Sequence, residues 1–151
     1  MKRRCSISED ADLKGLIMKA AEFHGHLGPF LVLGIRAGLI GLRELAPEKF
    51  RQMHVTVKLN PSVPFSCFID GIQVTTKCTV GNGLLRLESS REGISARFEI
   101  HSSQRVLTIT VRSKVLKYLM EMFSKGASNE GLAWEIASLP EEKLFTKENG
   151  G

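Results

Sequence analysis

The chain lacks most of what would tie it to a specialised setting. Its 151 residues include three cysteines, five prolines, one tryptophan and one tyrosine. Three is an odd number, and no two of these cysteines form a C-x-x-C pair. A secreted domain stapled by disulfides carries an even and denser set, so reduced thiols in a cytoplasmic setting are expected. No apolar run approaches the roughly 20 residues of a membrane span, so a membrane is not an expected partner. The basic start Met1-Lys2-Arg3-Arg4 runs into Glu9, Asp10 and Asp12, where a signal peptide needs its apolar stretch. The formal charge is +5, but the cations are scattered and few aromatics interleave with them. Nucleic acid is therefore not the expected partner either.

What is present reads as an ordinary folded domain. Hydrophobic residues make up 42% and charged residues 25%. A chain of this length suits one domain that buries about 68–70% of its unfolded surface. Ser6-Ile7-Ser8 followed by acids marks a capped helix start, and Leu13, Leu16, Ile17, Ala20 and Ala21 mark its apolar face. Residues 30–45 form a second helix, ended before Pro47. Alternation over residues 53–59 predicts a strand, and residues 65–76 a helix. Residues 84–88, 94–100 and 105–111 read as strands, with Gly93 and Ser102-Ser103 closing hairpins between them. Helices follow at 113–123 and 129–138. The order helices, antiparallel meander, helices predicts a single α+β domain, a largely antiparallel sheet with helices packed on one side.

Gly34, Gly38 and Gly41 form a stripe on one face of the second helix. Interior glycine costs about 1 kcal/mol relative to alanine, so three on one face need a reason. The stripe implies close approach of another backbone, either a strand of this domain or the same helix in a second copy of the chain. A homodimer joined at this helix or at a sheet edge is the expected assembly.

The chemistry concentrates in two segments. The first is Phe23-His24-Gly25-His26-Leu27-Gly28-Pro29-Phe30, with two imidazoles astride a glycine at a helix junction. Histidine is the commonest transition-metal ligand. Residues two apart on a helix point about 200° apart, so His24 and His26 converge on one ion only if the backbone at Gly25 leaves the helix. The second segment runs from Cys67 to Gly83, CFIDGIQVTTKCTVGNG. Cys67 opens a helix, where free N–H groups favour a thiolate, and Cys78 sits in a glycine turn beyond that helix. A helix over residues 65–76 spans about 17 Å, so at most one sulfur joins the histidines unless the site spans two copies of the chain. Cys78 is the better candidate of the two, because one turn can meet another. Asp70, with Gln73 three residues on, either orients an imidazole or is a solvated acid. Thr79 and Asn82, beside Gly81 and Gly83, form either an anion nest or an ordinary tight turn. His54 and His101 read as surface residues. Two imidazoles and one thiolate suit zinc, with nickel as the alternative ion.

The two segments together resemble the FmdE-like family, the E-type component of formylmethanofuran dehydrogenase. That family is marked by an HGHxCPG turn, a glycine-rich helix, a C-x-x-D-[AG]-[IV]-Q segment and a GCTxGKGNL turn. His24-Gly25-His26, Pro29, Gly34, Cys67, Asp70, Ile72-Gln73, Cys78-Thr79, Gly81 and Gly83-Leu84 match in order. The resemblance spans about residues 11–145. It implies a metal-binding domain linked to tungsten- or molybdenum-dependent one-carbon metabolism, with other subunits of a metalloenzyme complex as partners. The sequence has no pterin or iron–sulfur pattern, so the redox step would belong to another component. Alternatives are a stand-alone zinc-dependent enzyme of small molecules, or a non-catalytic module binding a metallocofactor or partner. Two departures stand out: Gly28 replaces the family's cysteine, and Asn82 replaces its lysine. Longer relatives add a cysteine-rich zinc module after the core, and nothing like it follows Glu141.

Overall fold

The structure, a computed structural model, describes residues 9–150. The expected cap at Ser6–Ser8 lies outside the described residues, as does Cys5. The element order is α1 (Glu9–His24), α2 (Pro29–Leu45), β1 (Met53–Leu59), α3 (Cys67–Thr76), β2 (Leu85–Ser89), β3 (Ser95–Ile100) and β4 (Arg105–Val111). It continues with α4 (Ser113–Ser124), α5 (Asn129–Ser138), the single turn α6 (Glu141–Leu144) and β5 (Phe145–Asn149).

The five strands form one sheet in the order β2-β1-β3-β4-β5. Alternation puts Met53, Val55, Val57 and Leu59 of β1, Ala96, Phe98 and Ile100 of β3, and Leu107, Ile109 and Val111 of β4 into the core. Their neighbours His54, Thr56, Arg97, Glu99, Thr108 and Thr110 lie on the opposite, wetter face. The α+β class with a mostly antiparallel sheet is the architecture observed.

One pairing departs from the expected meander. β1 and β2 run parallel, with Val55 opposite Leu85 and Leu59 opposite Ser89. The reason is α3: a helix between two strands carries the chain back to the starting end of the sheet. β2 is consequently an edge strand, and the loop through Gly93 crosses over β1 to reach β3 instead of closing a hairpin. The Ser102-Ser103 turn does close one, between β3 and β4. The opposite edge strand, β5, pairs with β4, an element that the sequence pattern does not signal.

Helix α2 is the hub. Twelve of its residues are buried, Phe30 to Ile35 without a break. The glycine stripe faces the interior of this chain. A Cβ on Gly34 would lie 2.1 Å from Phe68 O, and one on Gly71 2.3 Å from Leu31 O, so α2 and α3 touch backbone to backbone. A Cβ on Gly38 would meet Thr75 Cβ at 3.0 Å, and one on Gly41 the Phe98 ring at 2.6 Å. These contacts occupy the face that the sequence pattern offers to a second copy. They also fix the N-termini of α2 and α3 side by side.

Candidate metal centre

The end of α1 and the start of α2 build the first half of the site. His24 closes α1, and the next residue, Gly25, adopts φ +103°, a left-handed conformation glycine enters without steric cost. Its N–H still bonds Ala21 O at 2.8 Å. The reversal swings His26 back toward His24, with ring centroids 4.6 Å apart and planes tilted by 41°. Pro29 then starts α2, where its missing N–H costs nothing.

The second half comes from α3. Cys67 is its first residue and is buried. One donor atom each from His24, His26 and Cys67 lies within 4.8 Å of the other two. Ligands 2.0–2.3 Å from a tetrahedral ion stand about 3.3–3.8 Å apart, so small side-chain rotations would close the set on zinc. His26 is exposed and Cys67 is enclosed, so the set faces solvent on one side.

Asp70, one helical turn beyond Cys67, orients the first imidazole. His24 Nδ1 bonds Asp70 Oδ2 at 2.5 Å. A carboxylate only accepts, so Nδ1 carries the proton and Nε2 keeps its lone pair. That Nε2 is buried and has no hydrogen-bond partner among the described residues. An orphaned buried acceptor is costly in a native fold and asks for a ligand. Gln73 Nε2 in turn donates to Asp70 Oδ1 at 3.0 Å.

The Cys67 thiol differs from the helix-start expectation. Burial pushes its pKa up, the nearby Asp70 carboxylate adds to this, and a hydrogen bond from its own backbone N–H opposes both. Burial outweighs the helix terminus, so an arriving cation would displace the thiol proton.

Cys78 is not part of this group. It lies beyond the far end of α3, about 15 Å away along a ten-residue helix. Its Sγ donates to Met53 O at 3.3 Å, and burial raises its pKa as well. Of the two sulfurs the structure gathers Cys67, whereas turn chemistry favours Cys78. Thr79 and Asn82 build their own turn. Asn82 Oδ1 accepts from the N–H groups of Thr79 and Leu84, each at 3.0 Å, and its Nδ2 donates to Lys77 O at 2.7 Å. Those N–H groups are committed, which is the tight-turn alternative. Sequence reasoning missed Asn129, whose Oδ1 lies 3.3 Å from where a Cβ on Gly28 would stand. Nothing local marks a residue a hundred positions away.

A family model described as "FmdE, Molybdenum formylmethanofuran dehydrogenase operon" matches residues 23–146. The chain belongs to the FmdE family. A curated relative from Archaeoglobus fulgidus, named "Probable S-adenosyl-L-methionine-binding protein", is 30% identical over 152 residues. The match covers 87% of this chain but 42% of that protein, so the chain spans less than half the relative's length. A crystal structure of a tungsten formylmethanofuran dehydrogenase FmdE-like protein from Syntrophus aciditrophicus superposes with a TM-score of 0.59. It is 16% identical, and the match covers 91% of this chain and 71% of that one, a likeness of fold. No helix among the described residues is long and apolar enough to cross a membrane.

Proposed function

We propose that this FmdE-family chain binds one divalent transition metal through His24, His26 and Cys67, with zinc the resident ion and nickel the competitor. The observation that carries this reading is His24 Nε2, buried, unpartnered and held toward a second imidazole and a thiol by Asp70. Two nitrogens and one sulfur are a borderline-soft donor set, which hard oxygen-seeking ions fit poorly. Three protein ligands leave a fourth position on the side of exposed His26. A zinc ion with such an open position supplies Lewis acidity toward a bound small molecule or water. The chain's own part is to hold the ion: Asp70 fixes the His24 tautomer, and enclosed Cys67 shields the sulfur side.

The open side favours a role with small-molecule turnover or exchange over a purely structural ion. Within the family's setting, the chain would accompany a tungsten- or molybdenum-dependent formylmethanofuran dehydrogenase and contribute no redox centre. Assembly as a homodimer, or with other subunits of such an enzyme, belongs to the same proposal. With the glycine stripe occupied within the chain, edge strands β2 and β5 offer the free backbone for pairing.

Element analysis of untagged protein purified under reducing conditions tests the reading. About one zinc or nickel per chain is expected, with cobalt substitution giving a sulfur-to-metal charge-transfer band. Cys67→Ser and His24→Ala should each lower affinity at least tenfold, and Cys78→Ser should not. Absence of stoichiometric metal, or equal affinity in all variants, overturns it. Calorimetric titration with S-adenosylmethionine tests the ligand named for the archaeal relative.

A further inference from the structure

Beyond the ligands, one side chain joins the metal centre to the turn at the far end of α3. Gln73 lies on α3, one turn after Asp70, and uses both ends of its amide. Its Nε2 donates to Asp70 Oδ1 and its Oε1 accepts from the Val80 backbone N–H, each at 3.0 Å. A carboxylate only accepts and a peptide N–H only donates, so the amide orientation is fixed by both partners.

The Val80 end is itself anchored. Lys77 N–H bonds Gln73 O at 3.0 Å, ending α3 in a left-handed residue. Asn82 holds the turn from inside through Lys77, Thr79 and Leu84. Leu85 N–H bonds Thr79 O at 3.1 Å, tying the turn to the start of β2. A continuous run of hydrogen bonds therefore leads from the sheet edge through the turn, Gln73 and Asp70 to His24 Nδ1.

We propose that Gln73 is a positioning residue that couples the metal centre to the Thr79–Asn82 turn. This rests on the metal reading above. Asp70 is partly exposed, with 30% of its side-chain surface open, and its two oxygens have one protein partner each. With Gln73 in place the carboxylate has one rotamer and His24 presents Nε2. Without it, Asp70 turns to water and the imidazole is free to change tautomer. Coupling between two places is reciprocal. If the turn stiffens the metal centre, the metal stiffens the turn, and the Val80 amide reports it.

The experiment uses the full chain, labelled with ¹⁵N, at pH 8 in reducing buffer. Zinc affinity is measured by chelator competition for wild type, Gln73→Met and Gln73→Glu. The glutamate variant keeps an acceptor for Val80 but turns an oxygen instead of a donor toward Asp70. Both variants are expected to bind zinc about 10–100-fold more weakly, the usual loss for a residue behind a metal ligand. In the metal-free protein, ring ¹⁵N shifts should show His24 protonated at Nδ1 in wild type and a mixed tautomer in the variants. Zinc should slow exchange of the Val80 amide in wild type and leave it unchanged in Gln73→Met. Wild-type affinity and tautomer in both variants, or Val80 exchange indifferent to zinc in wild type, overturns the coupling. If wild type binds no zinc, the metal reading fails while the His24 tautomer still decides the role of Gln73. Should Gln73→Met fail to fold, Gln73→Glu decides alone.

Discussion

Gly34 and Gly71 meet with no side chain between them: a Cβ on Gly34 would stand 3.1 Å from the Gly71 Cα. This crossing lies about one helical turn from both Pro29 and Cys67, so it sets the spacing of the two halves of the metal centre. A Cβ on Gly71 would meet Leu31 O at 2.3 Å and Ile35 N at 2.7 Å, both backbone atoms that cannot rotate away. Alanine's helix preference returns only about 1 kcal/mol. Gly71→Ala should therefore destabilise by about 3 kcal/mol, the upper range for overpacking. For a domain of this size that is a fall in melting temperature of roughly 6–12 °C. Metal affinity should fall with it, because Cys67 moves with α3. A melting temperature within about 2 °C of wild type would show that the helices separate cheaply.

Gly38 gives a graded comparison on the same face. Its added Cβ would meet Thr75 Cβ and Cγ2 at 3.0 Å and Thr76 Cγ2 at 3.3 Å, side-chain atoms that have some freedom. Gly38→Ala should be close to neutral, as a gain of about 1 kcal/mol in helix propensity offsets the tight contact. Gly38→Leu has no such escape and should lower the melting temperature clearly. Sedimentation of either variant should match wild type, since the stripe packs inside the chain. A change in oligomeric state without a change in melting temperature would place the stripe at an interface between copies instead.

The fold class was legible because the periodicities are clean. Residues 53–59 alternate and α2 carries apolar residues on most of its surface, and both elements form where those patterns put them. Strand direction was not legible, since a run such as Leu85–Ser89 reads the same in a parallel or an antiparallel pair. Only the helix between β1 and β2 carries that information, through the length of chain it consumes. The short strand β5 has one buried residue, Phe145, and so little pattern to detect. At the site, the HGH turn announced itself because glycine between two imidazoles is chemically specific. The choice between Cys67 and Cys78 needed the third dimension. Both are buried at opposite ends of one helix, and only the Gly34–Gly71 contact decides which end meets His24.

His54 makes stability depend on pH. Its ring stacks on His101 with centroids 4.5 Å apart, and its Nδ1 is buried without a partner among the described residues. Burial lowers its pKa from the ordinary 6.5, and the positive charges of His101, Arg51 and Arg86 lower it further against the pull of Glu99. The unfolded chain thus takes up the proton first as pH falls. Stability from this group is complete above the unfolded pKa and is lost as pH drops below 6.5 toward the folded value. Melting temperatures measured at about pH 7.5 and about pH 5.5 should differ less in His54→Gln than in wild type. An identical difference in the two proteins would mean that the folded ring protonates freely.

Gly28 is where the family pattern carries a cysteine, and the structure shows what a side chain there would reach. Its backbone is extended, with φ −148° and ψ 167°, which any residue adopts. A Cβ would stand 3.5 Å from His26 Nε2 and 3.3 Å from Asn129 Oδ1, so a residue of cysteine's size needs only a small shift of the asparagine. The thiol would then lie beside His26, on the open side of the His24, His26 and Cys67 group. A fourth, anionic soft ligand suits zinc and nickel alike. Gly28→Cys should tighten zinc binding at least tenfold, about 1.4 kcal/mol, in chelator competition near neutral pH under reducing conditions. It should also close the coordination position through which a small molecule reaches the ion, so exchange of an added monodentate ligand on the cobalt form should slow. Tighter binding with unaltered ligand exchange would place the new sulfur outside the first coordination sphere. Equal affinity in the two proteins would show that this turn positions α2 and does not face the ion.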